Sequence, residues 1–409
     1  MTHNPNTAAY DHLPSRPIEA QRLHSDAEAI ACAHALAETF RAHAITRDRE
    51  RQLPFAEVQA LRQSGLTAIS VPKRYGGLDA SAHTIVEVFR AISAADPSLG
   101  QIPQNHFCFL PVFALGTEAQ AEFFYGRMLA GDTIGNAHSE NSKKRPGEYE
   151  HDLRRVDNGW RISGKKYYST GAAFAQWIPF IGLDEQGRRL MFFAAADQPG
   201  VEVLNDWKGM GQRCTASGTT VFHDVFIPDF HVFPLYLNDT AERPYNPLAA
   251  LIHSAIDLGI CDEVLKDAKH YIHAHNRPWT GNPHEHHAQE PFVIQEFGSL
   301  VLQLKTAQAV IKVAADALDT AWRDPSEAHK LQARLDAADA RIVCGEACLR
   351  LSEHFFSLTG ARATLESFSL DRHWRNARTH TLHDPLRWKK FHLGNYYLNG
   401  ITPASNTYI

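Results

Sequence analysis

Along residues 25–130 the apolar positions recur at intervals of three and four. Ile30, Ala33, Ala37, Phe40 and Ala44 form one stripe behind a Ser25–Glu28 capping pair, which predicts an amphipathic helix. A short helix follows Pro54, with Val58 and Leu61 inward and Gly65 at its end. Residues 66–79 read as an irregular connection, and Ser81 opens a helix running to about Ala95. Asp96-Pro97 stops that helix, and Pro103 interrupts the segment after it. Thr117 with Gln120 caps a last helix ending at Ala130-Gly131.

Near residue 131 the period changes from 3.6 to 2. Asn158-Gly159 joins two extended arms, and Asp184–Gly187 joins a pair rich in β-formers. Val201–Leu204 and Thr219–Pro228 complete a set of short strands. From Pro247 the helical period returns, over about 247–275, 290–322, 327–358, 366–384 and 387–398. The pattern predicts an α+β protein: a flexible arm (1–21), a helical domain (22–130), a β domain (131–240) and a helical bundle (241–409).

Composition narrows the partners. A formal charge of −5 and a pI near 6.6 argue against nucleic acid or an anionic membrane. No apolar run reaches the roughly 18 residues of a membrane span, and the first residues lack a signal peptide's basic and apolar regions. Six cysteines without a CxxC pair fit free thiols in a reducing cytoplasm.

Candidate chemistry concentrates in Asp371–Pro385, DRHWRNARTHTLHDP. On one continuous helix His373, Asn376, His380, His383 and Asp384 share an arc of roughly 100°. Arg372, Arg375 and Arg378 lie off that arc, available to carboxylates or a phosphate. A solvated face, or a set of satisfied buried histidines, is the plainer reading of the same stripe. His380, His383 and Asp384 could ligate a metal, but no second ligand cluster accompanies them, and no metal is expected. In the β domain, Gly135–Asn141 carries Asn136, Ser139 and Asn141; Tyr168, Ser169 and Thr170 precede Gly171; Trp207 stands in a glycine- and hydroxyl-rich loop. That mixture of aromatic face and small hydrogen-bonding groups suits a flat heterocycle such as isoalloxazine. Neither GxGxxG nor GxxxxGK[ST] occurs, which excludes the usual dinucleotide and P-loop sites.

From about Arg22 to Leu398 the chain resembles the acyl-CoA dehydrogenase superfamily. More narrowly it resembles the flavin-dependent monooxygenase branch that includes the dibenzothiophene monooxygenases and the SfnB sulfur-acquisition oxidoreductases. Asp96–Phe107, Gly209–Arg213, Asn276–Trp279 and the Asp371–Pro385 stretch carry the resemblance. It implies a helical domain, a β-barrel or sandwich and a four-helix bundle, assembled as a homotetramer. It also implies FMN, supplied reduced by a separate NAD(P)H:flavin reductase, in preference to FAD. O2 would react at flavin C4a to give a hydroperoxide that oxidises a small organosulfur compound.

By the same resemblance Asn136, Ser139 and Asn141 contact the flavin, and Tyr168, Thr170 and Trp207 surround its ring and ribityl chain, with Ser169 between them a further cofactor-binding candidate. Arg277 reaches flavin phosphate across a subunit interface. His380, His383 and Asp384 face the reactive edge, and Asn105 and His106 border the substrate pocket. Typical dehydrogenases carry Tyr-Glu-Gly-Thr where this chain has His383-Asp384-Pro385-Leu386. Aspartate is a methylene shorter than that glutamate base, and a displacement of about 1 Å can cost roughly a hundredfold in rate. Thr359–Arg362 departs from the glycine-rich turn that holds the adenine half of FAD. Both departures point to FMN and oxygen chemistry; the alternatives are an FAD-dependent acyl-CoA dehydrogenase with Asp384 as base, and a flavin-binding partner protein without turnover.

Overall fold

The computed structural model describes residues 18–140 and 149–404. The first helical region holds α1 (Asp26–Arg41), α2 (Ala44–Glu50), α3 (Phe55–Gln63), α4 (Ala82–Ala95), α5 (Pro97–Gln101), α6 (Gln104–Phe109) and α7 (Glu118–Leu129). Its boundaries follow local hydrogen bonding. Ser25 Oγ accepts from Glu28 N at 3.2 Å, and Thr117 and Gln120 form a reciprocal capping box. Asp96 closes α4 and accepts from Ser98 N at 3.0 Å, opening α5 with Pro97 in its first turn. Pro103 then separates α5 from α6.

Seven strands follow: β1 (Asp152–Val156), β2 (Gly159–Lys166), β3 (Trp177–Leu183), β4 (Arg189–Ala195), β5 (Val201–Val203), β6 (Thr220–Pro228) and β7 (Val232–Phe233). They form two antiparallel sheets among the described residues, ordered β1-β2-β6-β5 and β3-β4-β7. Val156 pairs with Gly159, so the first hairpin turns on Asp157-Asn158, with Asn158 at φ +59°. The glycine of the Asn-Gly signal therefore opens β2 instead of sitting in the turn. Phe180 stacks on Phe192 across β3–β4 at 4.9 Å and meets Phe222 of the other sheet at 5.2 Å. These rings join the two sheets into one core.

The chain closes with α8 (Tyr245–His275), α9 (Pro291–Arg323), α10 (Glu327–Thr359), α11 (Asp371–His380) and α12 (Leu386–Asn399). Helix α8 is buried along most of its length because α4 covers one side and α10 another. At Gly259 an added Cβ would stand 2.6 Å from Arg90 O, so glycine permits the close α4 crossing. The helix expected over 366–384 is shorter. Short 3₁₀ turns occupy residues 361–368, α11 ends at His380, and residues 381–384 form a turn. Pro385 disfavours helical geometry at Asp384 and has no N–H to offer Thr381 O, which ends the helix early.

Arg47 joins the N-terminal elements. Its guanidinium bonds Asp96 at 2.9 Å, Glu57 at 2.7 Å and the carbonyl of Phe40, and its own carbonyl accepts from Cys214 Sγ at 3.1 Å. Both Arg47 and Asp96 are buried, and burial raises the Asp96 carboxyl pKa against the pull of Arg47. Arg47→Ala should cost about 3–5 kcal/mol by leaving Asp96 uncompensated. Urea unfolding followed by tryptophan fluorescence checks this. A loss below about 1 kcal/mol would mean the pair behaves like a solvated one.

Candidate functional site

A cavity of about 510 Å³ opens where the N-terminal helices, the β domain and α11 meet. Asn136, Ser139, Tyr168 and Thr170 line it from the β domain, and Trp207, Gln212, Thr215 and Ser217 from the loop between β5 and β6. Gln101 enters from α5; Thr379, His380 and His383 enter from α11 and its exit.

The β5–β6 loop is shaped by close contacts. Trp207 Nε1 donates to Gln212 O at 2.8 Å, and the indole meets Tyr168 edge-on at 6.4 Å. Tyr168 is held at φ +54° and is 63% exposed. At Gly211 a Cβ would fall 1.9 Å from Arg375 O, so the loop backbone lies directly on α11. Gly211 N donates to Thr379 Oγ1 at 3.1 Å, and Gln212 N to Asn376 Oδ1 at 2.7 Å. Arg375 secures the same joint through Asp48, Asp371 and Met210 O, while Arg372 binds Asp267 at 2.7 Å. These two arginines are therefore structural ties and are not available to a phosphate.

Several polar atoms around the cavity await a partner. Asn136 Oδ1, Gln101 Oε1 and both amide atoms of Gln212 are buried without a hydrogen bond. Such groups cost about 1–3 kcal/mol each when unsatisfied, so the arrangement favours a ligand that supplies donors and acceptors. Beside them Thr170, Ser217 and Thr215 form a hydroxyl run, with contacts of 2.6 and 2.7 Å.

The histidine side is built from four helices, α8, α10, α11 and α12. His380 Nδ1 meets Asp257 Oδ1 at 2.6 Å, and His380 Nε2 meets His253 Nδ1 at 3.0 Å. Arg341 bridges Asp257 and Asp384, and Lys389 adds a second cation to Asp384 at 3.2 Å. His383 keeps 47% of its side-chain surface open, lines the cavity and meets the His253 ring at 4.0 Å, tilted by 37°. Desolvation by the atoms packed round its remaining faces lowers its pKa to about 4. His380, Arg341 and Lys389 add to that effect and Asp384 opposes it.

Of the residues expected from sequence, Asn136, Ser139, Tyr168, Thr170, Trp207, His380 and His383 line one cavity. Asn141 lies outside the described residues. Ser169 is fully buried beside the cavity without lining it, its amide bonded to Gly218 O. Arg277 is exposed in the segment after α8, away from the cavity of its own chain.

Three expectations need correction. Asp384 faces Arg341 and Lys389, not the cavity, and its 4.0 Å separation from His383 Nδ1 is too long for a hydrogen bond. Burial alone would raise its pKa, but the two cations hold it well below the usual carboxylate range. His106 is a strut: its Nε2 meets Thr67 O at 2.6 Å and its Nδ1 accepts from Ile134 N at 3.2 Å. Burial pushes that imidazole down to about 4. Asn105 is likewise buried in α6, since the break at Pro103 leaves α5, through Gln101, facing the cavity. The carboxylate that orients an imidazole is Asp257, which the sequence reading missed along with His253 and Arg341. A signal existed: His253 and Asp257 are polar residues four apart in a run of α8 that is apolar apart from Ser254. Among the described residues no group of three His, Cys, Asp or Glu side chains could hold a metal ion.

Residues 27–132 match the acyl-CoA dehydrogenase N-terminal domain, and residues 251–388 the acyl-CoA dehydrogenase C-terminal domain. A dibenzothiophene monooxygenase of Rhodococcus erythropolis is 33% identical, over 95% of this chain and 96% of that protein. The probable FMNH2-dependent monooxygenase SfnC of Pseudomonas putida is 31% identical, over 93% and 97%. FMN-bound TdsC from Paenibacillus sp. A11-2 superposes with a TM-score of 0.88 at 31% identity, over 93% of this chain and all of that one. The chain belongs to the acyl-CoA dehydrogenase family, in its monooxygenase branch.

For a member of that family, the placement of Asp384 is the informative departure. The sequence resemblance places it where dehydrogenases carry their glutamate base, yet two cations hold it away from the cavity. Histidines, amides and hydroxyls line the cavity instead. The joint between the β5–β6 loop and α11 is the contact to disturb. Gly211→Ala should cost about 1–3 kcal/mol by overpacking. It should also speed hydrogen exchange at the Gly211 and Gln212 amides. Unchanged protection there would show that the loop does not depend on this approach.

Proposed function

We propose that the protein is the oxygenase of a two-component flavin monooxygenase. It uses FMN reduced by a separate NAD(P)H:flavin reductase and O2 to oxidise a small organosulfur compound. The observation that carries this reading is the cavity's donor set: unsatisfied amides, hydroxyls and an aromatic face, with no carboxylate lining it among the described residues. Relatives named for dibenzothiophene, for FMNH2 and for methanesulfinate support the substrate class and the cofactor.

The residues fit FMN. Asn136 Oδ1 is an acceptor and the Gln212 amide both donor and acceptor for the polar edge of the ring, and Trp207 offers it an aromatic face. Thr170, Ser217 and Thr215 suit a polyhydroxylated chain. Bound reduced FMN would supply the electrons that activate O2. The protein's share is to orient, to exclude water and to hold protons at defined atoms. His383, uncharged at neutral pH, can donate or accept at the cavity, and Asp257 fixes the orientation of His380. A homotetramer, with Arg277 reaching a neighbouring subunit's phosphate site, completes the reading. No helix among the described residues is long and apolar enough to cross a membrane.

Oxygen uptake with FMNH2, with and without small sulfones, tests the assignment through product mass. Reduction of bound flavin by butyryl-CoA would support the dehydrogenase reading instead. Flavin titration of the apoprotein should show FMN binding at least as tightly as FAD, because Arg362 of the altered turn lies over Phe368. A preference for FAD of about tenfold, or 1.4 kcal/mol, would overturn the cofactor assignment. His383→Ala should still bind FMN and consume O2 but release mainly H2O2. The lost donor is worth about 2.7–4 kcal/mol of barrier. Unchanged product yield in a stable, flavin-loaded variant would remove His383 from the mechanism.

A further inference from the structure

Beneath the cavity lies a buried chain of groups that the proposed function leaves mostly unused. Asp257 engages Arg341 with one carboxylate oxygen and His380 Nδ1, at 2.6 Å, with the other. A carboxylate in that position only accepts, so His380 carries a proton on Nδ1. His380 Nε2 then meets His253 Nδ1 at 3.0 Å. Whichever ring donates in that contact, His253 Nε2 remains buried without a partner. His253 is 4% exposed, and its ring lies under His383 at 4.0 Å. A buried ring nitrogen left open at the end of a hydrogen-bonded chain is costly unless it has a use.

Two proton registers satisfy these contacts. With one proton on each ring, His253 Nδ1–H donates to His380 Nε2, and His253 Nε2 presents a bare lone pair. One proton added at His253 Nε2 forms an N–H bond there. The Nδ1–H bond of His253 then breaks and an N–H bond forms at His380 Nε2. The chain gains one proton, now carried as a His380 imidazolium against Asp257, His253 is neutral again, and nothing is oxidised.

We infer that His253 is a positioning residue that sets the proton register of His380, giving the cavity a one-proton store with His253 Nε2 as its port. The charged and titratable groups around His253 come from every element packed there. They are Asp257 on its own helix, Arg341 on α10, His380 on α11, His383 and Asp384 on the following turn, and Lys389 on α12. Asp257 is engaged by Arg341 and His380, and Asp384 by Arg341 and Lys389, so neither carboxylate is free to draw a proton onto His253. Desolvation, reinforced by the neighbouring histidines and cations, lowers the His253 pKa well below its ordinary value, so His253 passes the proton on to His380 and is itself neutral in both registers.

Only the kinetic arm of the test rests on the monooxygenase reading. Two variants serve: His253→Phe keeps the ring and removes both nitrogens, and His253→Asn restores a donor near Nδ1 without a port. In the first arm the flavin-free protein carries isotope-labelled histidine, and the His380 Nε2 resonance is assigned by its loss in His380→Gln. That resonance should move in His253→Phe and return toward the wild-type position in His253→Asn. A resonance unmoved in His253→Phe would overturn the inference. In the second arm, product and H2O2 per FMNH2 are measured across pH with melting temperatures alongside. His253→Phe should lose coupling roughly tenfold and flatten the pH profile. His253→Asn should recover coupling at neutral pH but keep the flattened profile. Wild-type profiles in both variants would overturn the inference. So would a loss that tracks melting temperature equally in the two. If the wild type shows no FMNH2-dependent oxygen uptake, the function proposed above fails, and the resonance alone decides the role of His253.

Discussion

One buried guanidinium holds the site in register. Arg341 has no exposed side-chain surface and sits between two carboxylates, Asp257 on α8 and Asp384 after α11. A charge so enclosed is tolerable only when paired on several sides, and removing it would leave two carboxylates in apolar surroundings. The positions of its partners decide the rest. Asp257 reaches His380 with its second oxygen, and Asp384 anchors the turn that presents His383. Arg341 touches none of the cavity, yet it fixes which way the two cavity histidines point.

The same interaction separates this chain from the dehydrogenases whose fold it shares. A base that abstracts a proton next to a carbonyl must be free to approach its substrate. Here the corresponding carboxylate is committed to Arg341 and Lys389. The cavity presents imidazoles, amides and hydroxyls in its place, groups able to stabilise developing charge and to pass a proton without themselves being anions. The fold is thus shared, while the carboxylate beyond the end of α11 is turned to Arg341 and Lys389.

Much of this was legible in the residue order. The change of period from 3.6 to 2 and back marks the three regions, because amphipathic helices and half-buried strands are local patterns. The polar loops carrying Asn136, Tyr168 and Trp207 stand out because each departs from the apolar alternation around it. Other features depend on distance. Asp257 and His380 are far apart in sequence, and only the packing of α8 against α11 brings them together. The continuous stripe over Asp371–Asp384 overextended a helix that ends at His380, so Asp384 was given the wrong neighbours. His106 shows the converse: a histidine in a recognisable motif was read as a pocket residue, whereas burial made it a strut between Thr67 and Ile134.

The contact at Gly211 carries a mechanical consequence. Because the β5–β6 loop rests on the backbone of α11 with no room for even a methyl group, the indole and the imidazoles belong to one rigid body. Trp207 is tied into that joint by its Nε1 hydrogen bond to Gln212 O. Accommodation therefore falls to Tyr168, edge-on to that indole and with most of its surface in solvent. A held indole and a solvent-facing phenol thus sit side by side at the cavity.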